Sequence, residues 1–133
     1  MKNFIDIELS NVAKLMKLTF LEHKENVFEF SVNFPDQVKN IYGGVQGGMI
    51  ASAIDEATFI CILMDTQNIK RVSSTNHHVL FHKPVQLGKN FIKVKFIKIG
   101  KRVINIEGNL YGKSGVLAAT LIHSTSIIRK KED

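Results

Sequence analysis

The chain has 133 residues, with 18 Lys and Arg against 12 Asp and Glu, a formal net charge of +6, 44% hydrophobic residues and 23% charged ones. That length fits one domain, and that balance excludes a disordered, collagen-like or disulfide-rich chain. Cys61 is the one cysteine, so no internal disulfide can form, which suits a reducing compartment.

Acidic residues enter early, at Asp6 and Glu8, and no apolar run with a small-residue cleavage site follows. The apolar stretch Phe59 to Met64 is far short of the ~20 residues of a spanning helix. The expectation is a soluble, cytoplasmic protein. Its positive charge attracts polyanions in general and does not choose among nucleic acid, acidic membranes and phosphate-bearing small ligands.

From about Ile5 to Lys17, the apolar residues Ile5, Leu9, Val12, Leu15 and Met16 fall near one helical face, which predicts a short amphipathic helix. Leu18 to His23 and Val27 to Phe34 read as strands around a turn at Lys24-Glu25-Asn26, the second with strict alternation. A glycine-rich loop, Asn40 to Gly48, feeds Met49 to Met64, a stretch without glycine or proline. This predicts a helix over about 47–66, apolar almost all round and therefore buried on most sides. Four further strands are predicted at Val72 to His82, Phe91 to Ile99, Val103 to Tyr111 and Val116 to Ile128. Breaks at Gly88-Lys89-Asn90, Gly100-Lys101-Arg102 and Gly112 to Gly115 separate them. Connections this short favour antiparallel neighbours. The whole is an α+β pattern in one domain, 1–133, in which one sheet wraps a buried helix. The tail Arg129-Lys130-Lys131-Glu132-Asp133 reads as a solvated end.

The chemistry concentrates between Asn40 and Ala57. The first N–H groups of a helix have no internal partner, and Gly47 and Gly48 stand where those groups would be approached. Such a site binds a carbonyl oxygen and stabilises the oxyanion formed on attack. Two turns on, Asp55 lies in apolar surroundings, where a carboxylate is expensive unless it is bonded or has a task. The task would be to activate water or to attack directly. Eight residues of helix separate Gly47 from Asp55 by ~12 Å, so one carbonyl cannot touch both from one chain. Two antiparallel copies of the helix across a two-fold axis would bring them together, which predicts a dimer with composite sites.

This stretch resembles the phenylacetate-type hotdog thioesterases of the 4-hydroxybenzoyl-CoA thioesterase superfamily. They show Asn, a glycine-containing loop, His-Gly-Gly, and an acidic residue nine positions after the His. Here Asn40 precedes Gln46 by six, Gly47-Gly48 follow, and Asp55 lies nine after Gln46. The strand near Ser74 that ends at Pro84, with Gly88 beyond, and the later turn Gly100-Lys101-Arg102 are similar too. The resemblance implies a hotdog fold, a dimer or dimer of dimers, and hydrolysis of an acyl-CoA thioester. Asp55 would be general base or nucleophile, Gly47 would polarise the carbonyl with Asn40 near it, and Ser74 would hold water beside Asp55. Gln46 stands where the family has histidine; it can position a group but cannot carry a charge. No cofactor is implied beyond the coenzyme A of the substrate.

Other readings have less behind them. Ser73 and Thr75 compete with Ser74, and Glu56 competes with Asp55. Lys83, Lys101 and Arg102 could meet coenzyme A phosphates or simply be solvated. His77, His78 and His82 share a strand without a nearby Cys, Asp or Glu, so no metal is expected. Cys61 reads as a buried filler. Rival functions on the same fold are a non-catalytic acyl-CoA or acyl-carrier binding module, and a hydratase, which would want a His beside its Asp at the helix start. Nucleic-acid binding lacks a basic helix, an aromatic platform or a zinc motif.

Overall fold

The computed structural model describes residues 2–131. Six antiparallel strands form one sheet in the order β1-β2-β4-β5-β6-β3. The strands are β1 (Thr19–Lys24), β2 (Val27–Phe34), β3 (Ile69–Phe81), β4 (Gly88–Ile99), β5 (Val103–Tyr111) and β6 (Leu117–Arg129). A helix of 19 residues, α2 (Gly47–Asp65), lies across one face, with its densest packing on β5 and β6. This is the sheet around one buried helix that the sequence pattern predicts, and the α+β hotdog fold that the family resemblance implies.

The alternation of β2 puts Phe28, Phe30, Val32 and Phe34 into the core, each at most 1% exposed. Glu25 and Asn26 join β1 to β2 with φ of 51° and 67°, the left-handed pair of a two-residue hairpin turn. From α2, Ile50, Ala53, Ile54, Ala57, Ile60 and Cys61 are buried against the sheet. Burial pushes the Cys61 thiol up, away from reactivity. By length and composition α2 could also cross a membrane; here it is the core helix of the sheet. At Gly108 of β5 helix and sheet come closest, and an added Cβ would collide with Ile54 and lie 3.2 Å from Thr58 Cγ2.

Three local expectations need correction. The helix predicted over 5–17 is a 3-10 turn at Phe4–Asp6 followed by a short α1 at Asn11–Leu15. Its buried residues are Ile7, Ala13 and Met16, whereas Ile5, Val12 and Leu15 are exposed. The apolar spacing came from two short pieces reaching one core, and Ser10, capping Ala13, marks where the second begins. The break predicted at Gly88-Lys89-Asn90 lies inside β4, because those residues pair with Phe34, Asn33 and Val32 of β2. Likewise β3 begins at Ile69 rather than Val72, drawn out by pairing with Arg129 and Ile128 of β6. Of the basic tail, Arg129 to Lys131 are exposed and Lys130 N–H donates to Asn68 O at 2.7 Å; Glu132 and Asp133 lie outside the described residues.

Candidate active site

The loop before α2 is organised by Asn40. Its Oδ1 accepts from Tyr42 N–H (2.8 Å) and Gly44 N–H (3.1 Å), and its Nδ2 donates to Val45 O (3.3 Å). Gly44 is required there because a Cβ would lie 2.9 Å from Val85 O. Gln46 is the N-cap of α2, its Oε1 accepting from Met49 N–H at 2.9 Å. That leaves the N–H groups of Gly47 and Gly48 without an acceptor among the described residues. The Phe81 ring lies over Gly47, and both line an open cleft of about 650 Å³ together with Asn40, Tyr42, Ile50 and Lys83.

Two turns along α2, Asp55 meets a group of side chains from two strands. His77 Nε2 lies 3.3 Å and His123 Nε2 3.4 Å from Asp55 Oδ1. The two histidines are directly opposed on β3 and β6, with ring centroids 4.5 Å apart. Ser74 Oγ is 2.7 Å from His123 Nε2, and Thr58 Oγ1 is 2.8 Å from His123 Nδ1. A bulge between Ser74 and Asn76 makes this convergence possible. In a regular strand, residues three apart face opposite ways; the extra residue turns Ser74 and His77 to the same side. Thr75 is spent on Ser124 O, so Ser74 is the member of its trio that reaches His123.

The hydrogen bonds decide the His123 tautomer. Thr58 Oγ1 donates its only hydrogen to Asp55 O at 2.9 Å, so it must accept from Nδ1–H of His123. Nε2 therefore carries a lone pair, and Ser74 donates to it. Burial lowers the His123 pKa to about 4, outweighing the opposing pull of Asp55, so the ring is neutral at pH 7. Glu56, the competing carboxyl, points elsewhere and accepts from Ser10 Oγ at 2.7 Å. Burial raises its pKa.

Gly47 and Asp55 thus sit at separate stations on one helix, ~12 Å apart by helix geometry. The three basic residues also divide. Lys83 N–H bonds Ala118 O at one end of β6, and Arg102 O accepts from Ile127 N–H at the other. Nine residue steps of strand, ~30 Å, separate the two ends. Within one chain, Lys83 cannot share a nucleotide with Lys101 and Arg102. Sequence reasoning missed His77, His123 and Thr58. His77 was set aside for want of a carboxylate nearby along the chain, and α2 supplies it. His123 sits in the alternating run of β6, where nothing local distinguishes it.

A hotdog sheet around one helix hosts more than one activity, so function rests on the carboxylate midway along α2 and the free N–H groups at its start. The thioesterase superfamily model matches residues 42–119, more than half of the chain, and the protein belongs to that superfamily. No curated protein matches it. Among solved structures it is similar to a phenylacetic acid degradation-related protein of Ralstonia eutropha JMP134, with TM-score 0.83 and 23% identity over 92% of this chain and 93% of that one. It is also similar to the BH2602 protein of Bacillus halodurans, solved with CoA (TM-score 0.80, 20% identity, 92% and 81% covered). A third is smu.793 of Streptococcus mutans UA159, bound to acetyl CoA (TM-score 0.79, 13% identity, 98% and 100% covered).

Proposed function

We propose that the protein hydrolyses acyl-CoA thioesters, with Asp55 as general base. The observation that carries this reading is the Asp55 carboxylate on the core helix of a thioesterase-superfamily chain, beside a serine whose hydroxyl is already committed. Ser74 gives its hydrogen to His123, so its lone pairs are free to accept from water. A water donating one hydrogen to Ser74 Oγ and the other to Asp55 would aim its own lone pair outward, at a carbonyl carbon. Asp55 takes the proton as the water oxygen bonds to that carbon. The oxyanion is stabilised by the Gly47 N–H. The C–S bond then breaks, and the coenzyme A thiolate leaves and is protonated.

The two stations belong to different chains in this mechanism. β3 is a sheet edge of 13 residues with Leu80 46% and Phe81 56% exposed, an edge that a soluble protein ordinarily covers. Pairing of two β3 edges about a two-fold axis would run two α2 helices antiparallel and bring Gly47 of one chain to Asp55 of the other. Two such dimers could pair further. Lys83 of one chain and Lys101 with Arg102 of the other could then flank one coenzyme A.

The test is free-thiol release from short, medium, long and aryl acyl-CoAs by wild type and Asp55→Ala. Loss of a general base costs about 10²–10⁴ in rate. Turnover that survives in Asp55→Ala would refute the role of Asp55. Tight binding of the esters without turnover by wild type would instead favour a binding module.

A further inference from the structure

The Asp55 group has a second property that hydrolysis does not use. Three ligand-type atoms, Asp55 Oδ1, His77 Nε2 and His123 Nε2, lie within 4.8 Å of one another. At Zn–N and Zn–O bonds of ~2.1 Å, two ligands in a tetrahedral site stand about 3.4 Å apart. The Asp55–His77 and Asp55–His123 separations are 3.3 and 3.4 Å. The edge between the two histidines is within 4.8 Å. His77, 34% exposed on an edge strand, is free to adjust its rotamer around an ion, whereas His123 is 1% exposed and held in place.

The tautomer is already the one a metal needs. A ligating histidine points its lone pair at the ion and donates its other N–H to an outer partner. His123 does this through Nδ1–H to Thr58, which in turn donates to the Asp55 carbonyl. The Nε2 lone pair of His123 now accepts from the Ser74 hydroxyl and lies 3.4 Å from Asp55 Oδ1, so an ion would take the place of the Ser74 hydrogen.

We propose that Asp55, His77 and His123 form a three-ligand site for a divalent transition-metal ion, zinc in particular, and that its occupation silences the hydrolytic site. Two imidazoles and one carboxylate suit zinc and cobalt, and poorly suit magnesium or calcium. The fourth position is open to water or to Ser74 Oγ, which would give up its bond to His123. A carboxylate ligated to zinc no longer accepts a proton from water, so the metal competes with catalysis. This part rests on the general-base reading of Asp55; the metal site itself does not.

The experiment is titration of chelator-stripped protein with Zn²⁺ by calorimetry and with Co²⁺ by visible absorption, alongside thiol release with and without Zn²⁺. Wild type is expected to bind one ion per chain, with a tetrahedral Co²⁺ band, and to lose hydrolysis when Zn²⁺ is added, EDTA restoring it. His77→Ala, on an exposed strand where the fold should survive, is expected to weaken Zn²⁺ at least tenfold, and Thr58→Val about tenfold through the outer partner. His78→Ala, which leaves all three ligands in place, should bind as wild type does. No ion bound at 100-fold excess, or equal binding by His77→Ala with an intact circular dichroism spectrum, would overturn the site. Binding that leaves hydrolysis untouched would overturn the silencing. If stripped wild type hydrolyses nothing, the thioesterase reading fails and the metal titration still decides the site.

Discussion

Gly108→Ala tests the close approach that sets the depth of α2 in the sheet. The added methyl would collide with Ile54 Cγ2 and stand 3.2 Å from Thr58 Cγ2, against a carbon–carbon optimum of ~3.5–4.0 Å. Ile54 cannot yield cheaply. It is fully buried, and a β-branched side chain in a helix is nearly confined to one χ1 rotamer. Relief must come from moving helix against sheet, and overpacking of this kind costs about 1–3 kcal/mol. Losing a glycine stiffens the unfolded chain and returns roughly 0.4–1 kcal/mol. With the upper end of the first range, the net is about 2 kcal/mol, or roughly 6 °C in Tm for a chain of this size. Urea unfolding followed by circular dichroism would measure it. Ile54→Ala, which removes the colliding methyl, costs about 2–5 kcal/mol alone. In the double variant the clash has no partner, so the two costs should fall short of additive by about 1–2 kcal/mol. A stability for Gly108→Ala within 0.5 kcal/mol of wild type, or strict additivity, would refute the packing described at this point. Because Asp55 and Thr58 flank the same turn, the variant should also turn over thioesters more slowly.

Three further outcomes are expected. The folded pKa of His123, about 4, lies below its unfolded value near 6.5, so the unfolded chain takes up the proton first. Its contribution, about 3 kcal/mol at ~1.4 kcal/mol per tenfold change in proton affinity, is complete above pH 6.5 and lost as pH falls toward 4. In metal-free buffer, unfolding free energies of wild type should show that loss, and those of His123→Gln should not. Ser10→Ala removes both the cap of α1 and the donor to Glu56 Oε1, and should lower stability by about 1 kcal/mol in denaturant titrations. Gln46→Ala removes the solvent-exposed cap on Met49 N–H and should cost about 0.5–1 kcal/mol, whereas Gln46→Asn, a shorter cap of a favoured type, should restore most of it.

The order of elements was legible in the chain because it rests on local patterns. Strict alternation in β2, an unbroken apolar run in α2 and glycine-bearing breaks between later strands each report a period or a turn within a few residues. Asn40, Gln46, Gly47 and Asp55 were legible as a motif because one loop and one helix carry them at set spacing. Where that local reading failed, long-range pairing had taken over. β2 recruited the turn-type residues Gly88 to Asn90 into β4, and the core took Ile7 and Ala13 while leaving Ile5 and Val12 in solvent. The surroundings of Asp55 could come only from tertiary structure. His123 lies 68 positions beyond Asp55 and is brought in by β6 crossing under α2; His77 depends on that crossing and on a bulge that reverses the face of its strand. Spacing along a chain carries no signal for contacts of that range, since loop closure and sheet order, rather than neighbouring residues, decide them.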